Sequence, residues 1–182
     1  MEKYLITASL AIGGAAFIAL TWCILIIREN NLSKVEEFLR NRSVGAVMAA
    51  IALAWVVPHV QAVAWYSLVP WVWPLAVLAL FLSVKYLDNV VARAFAGLLI
   101  MGAYSFLDMS FDYCLGMYIS GAIPPWVWGA IGITIAAKPC YLRDFLRLCA
   151  HKSFWRYVTA GLTGVTALFL LTTIAVFWKV QG

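Results

Sequence analysis

Six apolar runs, each approaching or exceeding the ~18 residues needed to cross the hydrocarbon of a bilayer, follow one another with only short polar breaks between them. They lie at residues 5–27, 44–65, 67–84, 90–117, 122–137 and 157–177. Backbone amides have no water to bond inside hydrocarbon, and a single run of this length satisfies them by itself only as a helix. The pattern predicts an all-α integral membrane protein of about six transmembrane helices: one polytopic domain over 1–182 with no soluble domain. Composition agrees, with 65% of residues hydrophobic and 12% charged, against roughly 25% charged in soluble domains. The longest polar stretch, Lys138 to Arg156, has room for one surface helix but not for a core of its own. The chemistry of such a chain belongs in or at the bilayer, which excludes most soluble enzyme classes.

The polar breaks carry the topology. Breaks 28–42, 85–93 and 138–156 hold eleven of the thirteen Lys and Arg residues, whereas connections 65–73 and 112–125 hold none. The positive-inside rule makes the basic breaks cytoplasmic and both termini extracytoplasmic. A net charge of +5 spread over three breaks is no single basic face, so nucleic acid is not an expected partner and the lipid bilayer is. Leu20-Thr21-Trp22-Cys23 superficially resembles a lipoprotein cleavage site, but Trp22 stands where a small residue is needed and Glu2 opposes Lys3 in the leading tail. The first run is read as an uncleaved helix. The compact chain without eukaryotic targeting features points to the cell membrane of a bacterium, its inner membrane.

Within the breaks, Ser33-Lys34-Val35-Glu36 has the spacing of a capping box and opens a short amphipathic helix through Phe38 and Leu39. Pro70, Pro74, Pro124 and Pro125 fall near the ends of two short spans, where a helix can begin without losing a bond. Phe38-Leu39-Arg40 with Arg42 and Phe145-Leu146-Arg147 with Arg156 precede spans in the same way, which suggests three sequential hairpins. Cys23, Cys114, Cys140 and Cys149 show neither a C-x-x-C spacing nor a disulfide framework, and read as ordinary thiols.

An ionisable group inside the bilayer costs at least ~2.5 kcal/mol, so each one is a functional candidate. Asp108 and Asp112 stand four apart on the fourth span, with Tyr104 and Ser105 one turn earlier on the same stripe. At ~1.5 Å per residue, Asp108 lies ~22 Å from Arg93 along the helix, in the outer half of the bilayer. His59 on the second span reaches a similar depth. Pro58 before it removes a donor, frees the carbonyl of Ala54 and is expected to bend the helix. Trp55, His59 and Tyr66 are expected to share its face. The candidate ligand-binding set is Asp108, His59, Asp112, Tyr104 and Trp55, with Pro58 as the structural kink. A histidine beside a carboxylate suits a proton relay or a cation site; neither a metal nor a cofactor is specified. Trp65, Trp71, Trp73, Trp126, Trp128 and Trp178 fall at the outer ends of spans, as an interfacial belt or as an aromatic vestibule for an organic cation.

Asp88, Ala92 and Arg93, followed by Gly102, Asp108 and Asp112, partly resemble the motif of the CDP-alcohol phosphatidyltransferases, six-helix enzymes that gather carboxylates around metal ions on one side of the membrane. Lys85 stands where that motif has its first aspartate and Asn89 where it has glycine, and the run Ala94 to Leu107 carries Asp88 and Asp108 toward opposite faces. A lipid-modifying enzyme is therefore the third reading. The first is a non-enzymatic membrane protein that handles or recognises a small solute or cation at an outward-facing intramembrane site. The second is an accessory subunit of a larger membrane complex, or a homo-oligomer. It draws on the small-residue pairs Ser9 with Gly13, Ala50 with Ala54 and Ala160 with Gly164, which allow close helix approach.

Overall fold

The computed structural model describes the backbone of residues 2–112 and 119–181, and the side chains of residues 4, 6–111 and 123–178. It is all-α, with no strand among the described residues. The helices are α1 (Glu2–Ile26), α2 (Leu32–Arg40), α3 (Arg42–Val63), α4 (Val69–Tyr86), α5 (Val90–Asp112), α6 (Ile119–Ala137), α7 (Cys140–His151) and α8 (Ser153–Gln181). Five of them are long and apolar enough to cross a membrane: Ile6–Ile26, Arg42–Val63, Val69–Tyr86, Val90–Phe111 and Ser153–Trp178. The stretch Ile123–Ala137 of α6 is a shorter apolar helix. The amphipathic α2 and α7 fill two of the three basic breaks, separating apolar from charged side chains as helices lying along an interface do.

Local chemistry sets the helix ends. Ser33 does not cap α2. A 3-10 turn at Glu29–Asn31 runs into the helix, which begins at Leu32 and makes Ser33 its second residue. The cap that forms is at α3, where the Asn41 side chain accepts from the amides of Ser43 at 3.0 Å and Val44 at 3.4 Å. Pro70 stands in the first turn of α4 as expected. Pro124 and Pro125 do not open their helix, because α6 begins at Ile119 and carries both in its interior. Likewise α3 continues through Pro58 to Val63. Tyr66 therefore lies beyond α3, in the connection to α4, and does not share the helical face of His59.

The chain forms two compact units: Met1–Ser33, Ser105–Trp126 and Asp144–Gly182 make the first, Lys34–Tyr104 and Val127–Arg143 the second. In the first unit α1 packs along α8. Gly13 of one expected small-residue pair, and Ala160 with Gly164 of another, serve this contact, while Ser9 is exposed and its hydroxyl bonds to the carbonyl of Ile6. A methyl added at Gly13 would lie 3.5 Å from Leu170, one at Gly164 would lie 3.9 Å from Thr21, and Ala160 is buried. The Thr21 and Thr163 hydroxyls bond between the two helices, and the Trp178 indole donates to the Thr7 hydroxyl at 3.1 Å. Arg156 donates to the carbonyl of Ile27 at 3.2 Å, and His151 Nδ1 lies 2.8 Å from Glu29 Oε1.

In the second unit α3 packs along α4, and Ala92, Ala96 and Ile135 make a small core. Gly45 brings the start of α3 against the start of α5, since a Cβ there would meet Val90 Cβ at 2.9 Å and the Val91 nitrogen at 3.0 Å. Of the Ala50 and Ala54 pair the first is half-buried and the second exposed; Gly45, Ala52 and Val57 are the buried positions of α3. None of the residues of α4 is buried.

Candidate functional site

The second unit holds an open cleft of about 430 Å³ lined by Val56, His59, Val60, Val63 and Ala64 from the last turns of α3 and by Met101 and Tyr104 from α5. Its size falls in the range of small-molecule sites, roughly 300–1,000 Å³, and its walls are mostly carbon with two polar side chains. The His59 and Tyr104 rings meet edge to face, their centroids 5.3 Å apart and their planes at 83°, the arrangement favoured by aromatic quadrupoles.

The backbone fixes how the imidazole presents itself. His59 Nδ1 lies 2.9 Å from the carbonyl oxygen of Trp55, one turn earlier on α3. A carbonyl only accepts, so Nδ1 carries the hydrogen of this bond. In the neutral ring Nε2 is then a bare lone pair; in the protonated ring it is a donor. Among the described residues of its unit, neither Nε2 nor the Tyr104 hydroxyl has a hydrogen-bond partner. The site thus offers an aromatic pair with two unsatisfied polar atoms inside an apolar wall. A ligand with one or two polar groups on an apolar body would satisfy both halves.

Two of the candidates named from sequence, His59 and Tyr104, line this cleft. Trp55 contributes its carbonyl, while its side chain is exposed. Pro58 is exposed on α3. Asp108 is exposed on α5 and belongs to the first unit, and the side chain of Asp112 lies outside the described residues. Among the described residues no group of three or more His, Cys, Asp or Glu side chains is placed to hold a metal ion. The expected tryptophan set also divides. Trp65, Trp71 and Trp73 are exposed around the α3–α4 connection, whereas Trp128 is 8% exposed and is a packing residue. Sequence reasoning missed Val56, Val60, Val63, Ala64 and Met101, because an apolar residue in an apolar span carries no signal that it borders a cleft.

Comparison with protein-family models, with curated proteins and with solved structures gives no match to this chain.

Proposed function

We infer that the chain is a non-enzymatic, multi-pass membrane protein that recognises a small solute or cation at an intramembrane site centred on His59 and Tyr104. The observation that carries this reading is the cleft itself, in which the Trp55 carbonyl orients the imidazole and leaves Nε2 without a partner. An intramembrane histidine without a structural task for its second nitrogen is a functional group by default. Asp108 is kept as a separate candidate on α5, a carboxylate that would draw a cationic solute to the outer half of the bilayer. With the basic breaks cytoplasmic, both termini and the α3–α4 connection lie outside the cell membrane, and the cleft sits toward that side.

The test is mass spectrometry of small molecules extracted from protein purified gently in nanodiscs, comparing wild type with His59→Phe and Asp108→Asn. A compound carried in stoichiometric amount by wild type and lost from His59→Phe supports the site. Loss from Asp108→Asn as well supports a cation. Equal retention in all three overturns the reading.

The subunit reading is favoured by a different feature, the helix α4, which buries none of its residues and leaves Leu75, Val77, Leu78 and Phe81 exposed. Stoichiometric protein partners, or a second copy, in the same purified material would support it.

A further inference from the structure

We propose that the basic end of the second unit binds the headgroup of an anionic phospholipid, whose acyl chains lie along α4. Three cations of the second unit, Lys85, Arg93 and Lys138, would supply the headgroup half of the site. Lys85, in the last turn of α4, holds its ammonium 5.3 Å from the Tyr86 ring centroid and 5.6 Å from that of Phe81. The connection to α5 is a three-residue turn in which Asn89 takes the left-handed conformation, φ 57°, one that asparagine tolerates better than most residues. This turn keeps Arg93, in the first turn of α5, at the same end of the unit. The Arg93 guanidinium reaches the carbonyl of Ala136 at 3.4 Å, and two residues further on Lys138 places its ammonium 5.5 Å over the Tyr141 ring. Asp88, in the same turn, is exposed.

The acyl half is α4. Leu75, Leu78, Leu82 and Lys85 recur at the spacing of one helical face, and the three leucines are exposed along its length. Lys85 therefore ends an apolar stripe with a cation, as a phospholipid ends an apolar chain with a phosphate. Tyr86 and Tyr141, both exposed, have the amphipathic rings that settle at headgroup depth. A zwitterionic headgroup brings its own ammonium into a corner where cations already exceed carboxylates, whereas an anionic glycerol headgroup does not. Charge complementarity thus selects the anionic lipid.

The test is native mass spectrometry of the detergent-purified full chain titrated with phosphatidylglycerol or phosphatidylcholine. Wild type is expected to retain one phosphatidylglycerol and to prefer it over phosphatidylcholine. The double variant Lys85→Gln with Lys138→Gln should bind it roughly tenfold more weakly or worse, and Lys85→Arg with Lys138→Arg should retain it. Lys34→Gln with Lys152→Gln removes the same charge from α2 and from the α7–α8 connection and should leave retention unchanged. Equal retention of the two lipids by wild type, an unaffected Lys85 and Lys138 variant, or an equal loss in the Lys34 and Lys152 variant would each overturn the proposal.

Discussion

The hydroxyl oxygens of Thr21 and Thr163 lie 2.8 Å apart between α1 and α8, a polar clasp in a mostly apolar contact. Thr21 also bonds back to the Phe17 carbonyl at 2.8 Å and Thr163 to the Thr159 carbonyl at 3.0 Å, so neither hydroxyl depends wholly on the other. Interhelical bonds of this kind average about 0.6 kcal/mol and reach about 1.7 kcal/mol. A double-mutant cycle of Thr21→Val and Thr163→Val, followed by reversible unfolding in mixed micelles, should give a coupling within that range. A coupling of zero would mean that this pair adds nothing to the packing and to the Trp178–Thr7 bond that also join the helices.

Glycines differ sharply in what they permit. A methyl at Gly132 would lie 2.8 Å from Ile100 Cγ1 and 3.0 Å from the Ala96 carbonyl oxygen, and neither is the free end of a flexible side chain. Gly132→Ala should destabilise the second unit by about 1–3 kcal/mol, the usual cost of overpacking. Gly102 has nothing within 4 Å of the same position. Gly102→Ala should be neutral or stabilise by up to about 1 kcal/mol through helix propensity. Parallel thermal unfolding of the two variants checks the contrast, and similar losses would contradict it.

Asn41 closes the start of α3 through the two amides it accepts from. Replacement by alanine should cost about 1 kcal/mol, and replacement by aspartate should retain most of the cap. Hydrogen exchange at the Ser43 and Val44 amides reads the change directly. Protection unchanged in the alanine variant would show that the cap is dispensable.

Cysteine reactivity should follow burial. Cys149 on α7 is fully buried, and that burial raises its thiol above the ordinary value, with the Thr159 hydrogen bond and nearby Arg156 opposing the shift. Cys140 at the other end of the helix is exposed. In single-cysteine proteins a maleimide should label Cys140 in intact membranes and leave Cys149 unmodified until denaturant is added. The sign of the pH effect follows from linkage. A thiol whose folded value is raised contributes stability that is complete below the unfolded value and is lost as pH rises through the folded one. The loss of stability at alkaline pH should therefore be smaller in Cys149→Ala, and an unchanged alkaline profile would argue against the shift.

The spans are legible because crossing a bilayer constrains length and polarity and little else; α3 and α5 can be drawn to within a few residues without knowing a single contact, and the end of the run 90–117 beyond Asp112 lies outside the described residues. Their ends were less legible, since α2 borrows a turn from Glu29–Asn31 and α6 extends upstream of its prolines. Site residues followed the same rule. His59 and Tyr104 stood out by type, but Tyr104 was grouped with Asp108 along its own helix, and its ring instead meets His59 across α3 and α5. That encounter depends on where two helices approach, at Gly45 beside Val90 and Gly97 beside Ala52. Small residues recur in nearly every span, so the sequence shows that close approaches exist without showing which helices make them.

The unburied character of α4 makes it the element most responsive to bilayer thickness. Its 18 residues span ~27 Å at ~1.5 Å each, slightly less than the ~30 Å hydrocarbon core. A tightly packed helix meets such a mismatch through the bundle around it, but α4 is held chiefly by α3 and must settle its depth with the lipid directly. Thinner bilayers should relax it toward tilting and thicker ones should pull Trp71 and Lys85 inward from their interfaces. The geometry of the aromatic connection at one end and the basic corner at the other would thus vary with membrane composition.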